Sequence, residues 1–344
     1  MLEHPADLWE RDGERVRCLL CPHACRIGQG QAGVCGVRRN DAGSLVALTC
    51  GRVSSVAVDP IEKKPVFHYA PGSMALSLGS VGCTMKCGHC QNWQISRASV
   101  AEGGLRDIPP AEAVRLARAH GCAGIAFTYN EPVIWAEYVR DCGLLAHEAG
   151  LYSVMVTNGY VTAAGLDYLA PALDVWRVDV KGMTDEAVRT LCRVPHAAPV
   201  LEQAERAKHV HHLHIEVVTN VVPGINDSET HLRSAARWIA GSLGPETPWH
   251  ITRFFPYLEF ADVPPTPIAT LRRAREIGRE EGLRFVYLGN VAEPGGEDTV
   301  CPACGEVAIR REGFAVTEER VRDGACGRCS EPLGIVSARP EALQ

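Results

Sequence analysis

Three cysteines stand close together in the stretch VGCTMKCGHC at residues 81–90, where Cys83, Cys87 and Cys90 are four and then three residues apart. Thiolates bind zinc and iron–sulfur clusters, and four of them close a metal site. Three thiolates on a four-iron cluster leave one iron free to bind another molecule. His89 could complete a zinc site instead, but it is adjacent to Cys90, and adjacent side chains rarely converge on one ion. The spacing alone is compatible with both a zinc site and an open cluster, and the adjacency of His89 to Cys90 argues against the zinc site.

A second group of thiols lies near the C-terminus. Two CxxC pairs there resemble the knuckles of zinc ribbons and rubredoxin-like sites, in which four thiolates complete a tetrahedron. We expect a structural metal site, with zinc favoured over iron, at Cys301, Cys304, Cys326 and Cys329.

A third group lies near the N-terminus, in CLLCPHACRIGQGQAGVC at residues 18–35. Its glycines allow a loop to wrap around a metal, and either one zinc or a small iron–sulfur cluster would suit the ligands Cys18, Cys21, Cys25 and Cys35. The remaining cysteines are scattered, and we expect each to be a small buried apolar side chain: Cys50, Cys122, Cys142 and Cys192.

The overall composition is that of an ordinary globular protein. Apolar residues make up 46% and charged residues 22% of the 344, and the net charge is −6. Nothing in this balance favours a nucleic acid or an acidic membrane as a partner. The N-terminus lacks the apolar core of a signal peptide, and no apolar run approaches the ~18 residues of a membrane span. We expect a cytoplasmic protein.

Strand and helix patterns alternate between residues 74 and 290, which predicts right-handed βαβ units and a parallel sheet. The fold class is α/β, as a partial (β/α)6 TIM-like barrel flanked by a Cys-rich N-terminal segment and the C-terminal knuckle. We predict boundaries at 1–66, 67–292 and 293–344. Ligands of such folds bind at the carboxyl ends of the strands, where GSVGCTMKC, TYNEP, TNGY and DVKG lie.

These motifs resemble the radical S-adenosylmethionine (radical SAM) superfamily, whose signature is CxxxCxxC after the first barrel strand. The resemblance implies that Cys83, Cys87 and Cys90 hold a [4Fe–4S] cluster whose unique iron binds the amino and carboxylate groups of SAM. It also implies that His89 lies against the adenine. A Gly-Gly-Glu-like turn meets the methionine amino group in the family; here Asn130 and Glu131 stand in that turn, without its glycines.

Within the superfamily, the segments TNG, DVK, VVPGIND and FFPY resemble the pyruvate formate-lyase activating-enzyme branch. The resemblance implies that Thr157 and Asn158 belong to a cofactor-binding segment and that Asp179 and Lys181 lie near the SAM carboxylate. Val156 replaces the aspartate that the branch has before TNG. The chain as a whole resembles the AmmeMemoRadiSam system radical SAM enzyme, which implies Memo-like and AMMECR-type partners.

We therefore expect a radical SAM enzyme that cleaves SAM reductively, with an external electron donor of the flavodoxin or ferredoxin type, and takes hydrogen from a small molecule or a peptide side chain. One alternative is an activase of glycyl-radical enzymes. An alternative of another class is a non-enzymatic scaffold whose three cysteine groups all hold zinc. The charged segment IEKKP at residues 61–65 is interpreted as a solvated surface, with substrate binding as the alternative.

Overall fold

The computed structural model describes residues 4–337. Its N-terminal part consists of short strands: β1 (His4–Pro5), β2 (Trp9–Asp12), β3 (Arg15–Cys18), β4 (Arg26–Ile27), β5 (Arg38–Asp41), β6 (Ser44–Ala47), β7 (Arg52–Val53) and β8 (Ser55–Pro60). Six of them form two antiparallel sheets, in the orders β2-β3-β4 and β1-β6-β5.

The central part alternates strands and helices as the sequence predicts. Its elements are β9 (Met74–Gly79), α1 (Trp93–Ser96), β10 (Arg106–Asp107), α2 (Pro110–Ala119), β11 (Gly124–Phe127), α3 (Ala136–Glu148), β12 (Tyr152–Thr157), α4 (Ala163–Leu169), β13 (Val175–Asp179), α5 (Asp185–Cys192), α6 (Ala198–His209), β14 (His214–Val221), α7 (Glu229–Trp238), β15 (Trp249–Arg253), α8 (Ile268–Glu280) and β16 (Val286–Gly289).

The main sheet has eight strands in the order β16-β15-β14-β13-β12-β11-β9-β8. The seven strands of this sheet other than β8 pair in parallel, whereas β8 runs antiparallel to β9 at one edge. Because β8 and β16 are the two edges, the sheet stays open, and the predicted partial barrel is confirmed. The antiparallel edge strand was not predicted.

Local sequence explains how these elements form. The parallel strands are largely buried on both faces, and one of them, Gly124–Phe127, is a continuous apolar run. Several helices begin at a residue whose hydroxyl accepts a hydrogen bond from the backbone three residues later, which satisfies a free N–H group of the first turn. These N-caps are Thr162, Thr184 and Ser228.

The C-terminal part is a small set of strands: β17 (Thr299–Val300), β18 (Val307–Glu312), β19 (Ala315–Glu319), β20 (Val321–Arg322) and β21 (Ala325–Cys326). An apolar cluster that includes Phe67, Tyr287 and Leu333 joins it to the main sheet. The predicted domain boundaries stay a prediction; β8, from the N-terminal range, pairs with the first core strand. None of the helices within residues 4–337 has both the length and the apolar character needed to span a membrane.

Candidate active site at the carboxyl edge of the sheet

One cavity of about 530 Å³ lies at the carboxyl ends of the parallel strands. The loops that follow β9, β11, β12 and β13 all contribute to its wall. The cavity brings together every central residue for which the sequence predicts a metal or cofactor role: Cys83, Cys87, His89, Cys90, Asn130, Glu131, Thr157, Asn158, Asp179 and Lys181.

The cysteine loop is held in place by the end of α5. The backbone N–H groups of Lys86 and Gly88 donate to the carbonyls of Cys192 and Leu191, each at 3.1 Å. A Cβ atom at Gly88 would lie only 2.5 Å from the Phe260 ring, so this position requires glycine. The loop shape therefore depends on distant parts of the chain.

The spacing of the three thiols fits a group larger than a single ion. A single metal ion needs at least three His, Cys, Asp or Glu ligand atoms close to one another. Within residues 4–337, the set whose ligand atoms all lie within 4.8 Å of one another is the C-terminal group of four cysteines. Cys83, Cys87 and Cys90 line one cavity but are more widely spread. A four-iron cluster, which takes each thiolate on a different iron, fits such a spread.

Cys192 is a neighbour of this site that the sequence did not reveal. Its side chain is fully buried, as expected of a scattered cysteine. A hydrogen bond with the Cys192 thiol, however, lowers the pKa of Cys87, against the effect of burial. Cys192 lies about a hundred residues away in sequence, at the end of α5, so no local spacing connects it with the CxxxCxxC segment.

Glu131 is buried at the base of the cavity and accepts several hydrogen bonds. Thr157 Oγ1 and the Asn158 backbone N–H donate to it, each at 2.7 Å, and the Val133 backbone N–H donates at 2.9 Å. Burial raises the pKa of Glu131 to about 7, although these donors act in the opposite direction. The TNG segment thus orients the Glu131 carboxylate.

The two asparagines of the site hold the cysteine loop from different sides. Asn130 accepts from the Ser80 backbone N–H at 2.9 Å and donates to the Gly82 carbonyl at 3.0 Å. Asn158 Nδ2 lies 3.0 Å from Thr84 Oγ1 and 3.6 Å from Cys83 Sγ. Asn130 therefore fixes the backbone before Cys83, whereas Asn158 contacts the side chains of Cys83 and Thr84.

Three charged side chains at the end of β13 and just after it line the cavity: Arg177, Asp179 and Lys181. Asp179 accepts from Arg177 at 2.8 Å and lies 3.2 Å from Lys181 Nζ. Burial opposes the ionisation of Asp179, but the two cations outweigh it and hold its pKa below the usual value. Arg177 was not predicted; its position two residues before Asp179, on the same face of the strand, is the signal that could have revealed it.

His89 lines the cavity. Its Nδ1 atom is buried and makes no hydrogen bond with the protein. Its ring lies edge-on to Phe254 and Phe260, with centroids 6.4 and 5.9 Å away. Burial, reinforced by the nearby Lys181 charge, lowers the pKa of His89 to about 4. The ring is therefore neutral at physiological pH.

The interpretation of IEKKP as a solvated surface is wrong. Glu62 and Lys64 are buried, at 2% and 3% exposure, and Lys64 lines the cavity. Its Nζ lies 2.6 Å from Asp59 Oδ2, which also accepts from Tyr129 Oη at 2.6 Å. The strand β8 carries Asp59 to this position, and that pairing is not visible in the local sequence.

Comparison with known proteins agrees with this geometry. Residues 78–236 match the family model of the Radical SAM superfamily. The chain belongs to the radical SAM superfamily. This radical SAM enzyme is 40% identical to an uncharacterized protein of Methanocaldococcus jannaschii over 94% of this chain and 97% of that one.

Other relatives of the radical SAM enzyme are more distant. It is 26% identical to the pyruvate formate-lyase 1-activating enzyme of Escherichia coli strain K12, over 43% of this chain and 61% of the relative. Its fold resembles the crystal structure of a radical SAM methyltransferase from Sphaerobacter thermophilus, with a TM-score of 0.51 and 18% identity, over 68% of this chain and 70% of that one. The family implies a [4Fe–4S] cluster and SAM.

The C-terminal cysteines of the radical SAM enzyme form a compact group that could bind a metal. The Sγ atoms of Cys301 and Cys329 are 3.6 Å apart, and those of Cys304 and Cys326 are 3.8 Å apart. Four thiolates around one zinc at about 2.3 Å would be separated by about 3.8 Å. The spacing therefore fits one tetrahedral ion.

Proposed function

We propose that this radical SAM enzyme binds a [4Fe–4S] cluster through Cys83, Cys87 and Cys90 and acts on a small molecule or a peptide side chain. The observation that supports it most is that one cavity brings three thiols together with a buried acid and a lysine. Cys83, Cys87 and Cys90 would hold the cluster, which would supply the one-electron reduction of SAM with an electron from an external ferredoxin- or flavodoxin-type donor. Cleavage of SAM to methionine and a 5′-deoxyadenosyl radical would then allow a hydrogen atom to be taken from the substrate.

The residues of the cavity suit the different parts of SAM. Glu131 would accept from the methionine ammonium as a charge-assisted hydrogen bond. Lys181, which Asp179 orients, would pair with the methionine carboxylate. The neutral His89 ring would lie against the adenine. The protein's part is to position SAM and to exclude water from the reacting atoms.

Room for a substrate lies beside the proposed SAM site. A second cavity, of about 730 Å³, shares the wall residues Lys63, Pro65, Thr252 and Asn290 with the first. It extends between the main sheet and the C-terminal part, where Glu62 and Arg311 also line it. This space supports a substrate larger than a single amino acid. Memo-like and AMMECR-type proteins are the proposed partners of this chain, and this part of the proposal rests on the sequence resemblance alone.

Anaerobic reconstitution followed by iron, sulfide and zinc counts tests the proposal. We expect Cys87→Ala to lose the central iron and SAM cleavage together, whereas Cys122→Ala, at a buried cysteine outside the cavity wall, keeps both. Iron-free protein with a full complement of zinc would instead support the non-enzymatic scaffold. Transfer of deuterium from labelled candidate substrates into 5′-deoxyadenosine then identifies the substrate.

The similarity to a pyruvate formate-lyase activating enzyme supports a second candidate, an activase of glycyl-radical enzymes. The two candidates differ in where the radical ends. A glycyl-radical doublet in the electron paramagnetic resonance spectrum of a protein partner, formed only with this chain, SAM and reductant, would favour the activase.

A further inference from the structure

The N-terminal cysteines line a small cavity of their own. Its wall contains all four predicted ligands, Cys18, Cys21, Cys25 and Cys35. The other side chains around them are mostly apolar: Leu20, Ile27, Val34 and Ile134. Cys18 and Cys35 are buried, and the other two are partly exposed. Four inward-facing thiols in a dry pocket indicate a site for a thiophilic metal group.

The spread of these thiols distinguishes a cluster from zinc. Among the described residues, no three of these N-terminal thiols have sulfur atoms that all lie within 4.8 Å of one another. The four C-terminal cysteines do meet this criterion. A single zinc requires sulfur atoms about 3.8 Å apart. The N-terminal group shares its wider spread with Cys83, Cys87 and Cys90, the ligands of the proposed central cluster.

Arg38 provides an independent sign of a ligand at this cavity. It is 1% exposed and lines the cavity wall. Its terminal nitrogens donate to the Glu137 carboxylate, both at 2.9 Å, but its buried Nε has no hydrogen-bond partner. An N–H group left in this position can donate to a cluster or cysteinyl sulfur, and its charge opposes that of the thiolates.

The N-terminal cavity adjoins the central cysteine loop. A Cβ atom at Gly82 would lie 2.5 Å from the Cys35 carbonyl oxygen, and Gly82 directly precedes Cys83. His23 Nε2, from the N-terminal loop, lies 2.7 Å from the carbonyl oxygen of Thr84, which directly follows Cys83. The two cysteine groups are thus connected through single contacts on both sides of Cys83.

We propose that Cys18, Cys21, Cys25 and Cys35 bind a second [4Fe–4S] cluster and that this cluster relays electrons to the central one. One electron from the external donor reduces the N-terminal cluster and then leaves it for the central cluster; no bond forms or breaks in this transfer. The relay rests on the proposed function, whereas the second cluster does not. Zinc at this site is the alternative that the experiments must separate.

Metal counts on the anaerobically reconstituted full chain test the second cluster. We expect about eight iron and eight sulfide per chain, since each cluster holds four of each. The triple variant Cys83→Ala, Cys87→Ala, Cys90→Ala should keep about four iron with a [4Fe–4S] spectrum, and Cys21→Ala with Cys25→Ala should also keep about four. Four iron with two zinc in the wild type, or an iron-free triple variant, would overturn the second cluster whether or not the central site cleaves SAM.

The choice of electron donor tests the relay. In the variant Cys21→Ala, Cys25→Ala, SAM cleavage driven by reduced ferredoxin should fall by about tenfold or more, about 1.4 kcal/mol in the barrier. Cleavage driven by dithionite, a small reductant that can reach the central cluster directly, should stay close to the wild-type rate. An unchanged ratio of the two rates would overturn the relay. If the double variant is insoluble, Cys25→Ser replaces it in the same comparison.

Discussion

The amide of Asn158 lies against the sulfur of Cys83, with Nδ2 3.6 Å from Sγ. Asn158 follows β12, and Cys83 follows β9, so the two residues meet only because both strands end at the same edge of the sheet. Hydrogen bonds to ligand sulfurs stabilise the reduced form of a cluster, because that form carries more negative charge.

Asn158→Leu should therefore make the central cluster harder to reduce while keeping its iron. A hydrogen bond worth about 1 kcal/mol corresponds to about 40 mV for a one-electron couple. We expect a shift of that order to more negative potential in a spectroscopic redox titration. Asn220→Leu is the matched control, because Asn220 lines the same cavity but its Nδ2 donates to Thr252 rather than to a sulfur. Equal potentials in wild type and Asn158→Leu would contradict this role.

Cys192 offers a direct test of the open iron. Because the family motif needs only three thiolates, Cys192→Ala should keep the central iron and SAM binding, and should change only the environment of Cys87. Iron counts and the spectral response to added SAM measure both properties. Loss of about four iron in Cys192→Ala, as in Cys87→Ala, would mean that a fourth protein ligand closes the cluster.

Glu131 should make SAM binding dependent on pH. Burial raises the pKa of this carboxyl to about 7, so it is largely protonated below that value and ionised above it. Only the ionised form attracts the methionine ammonium, and SAM affinity should rise as pH increases through about 7. Glu131→Gln should weaken SAM binding about tenfold or more, since a hydrogen bond to a charged group contributes about 1.5–3 kcal/mol.

Anaerobic calorimetry across this pH range, at constant ionic strength, checks the sign. Glu131→Gln serves as the control for the wild type, because an amide does not titrate near neutral pH. A rise in affinity of equal size in the Gln variant would assign the pH dependence to another group.

Asp59 should contribute strongly to stability through its buried partner. Its carboxylate lies between Lys64, whose side chain is 2% exposed, and Lys63, whose side chain is 44% exposed. Asp59→Asn leaves the Lys64 charge unpaired in the interior, which typically costs about 3 kcal/mol. Lys63→Met removes an exposed ion pair, which typically costs less than about 1 kcal/mol. Urea unfolding of the two variants should separate these values, and equal losses would contradict the assignment.

The C-terminal knuckle should depend on its metal without affecting the central cluster. Cys304→Ala removes one of four closely spaced thiols, and structural zinc contributes about 10 kcal/mol or more in isolated zinc fingers. We expect loss of one zinc and rapid proteolysis near residue 298, with the central iron count unchanged. A parallel loss of central iron would show that the knuckle supports the sheet more directly.

The alternation of strand and helix patterns was sufficient to predict the main sheet, because its parallel strands are short, largely buried segments between helices. Strand β8 was not predicted, because its antiparallel pairing with β9 is visible only in the tertiary structure. The same pairing buries Asp59 and Lys64 beside the cavity, although their sequence is typical of an exposed segment.

The sequence by itself indicated which cysteines group together as candidate metal ligands, since their spacings are local. Only the tertiary structure decided which side chains surround those thiols: Arg177 and Lys64 line the cavity from distant parts of the chain, and the buried Cys192 hydrogen-bonds to Cys87. The tertiary structure also shows that the four C-terminal sulfur atoms lie close together, whereas the central and N-terminal thiols do not meet the same distance criterion. Distances between sulfur atoms depend on how the loops pack, and packing is a property of the whole chain.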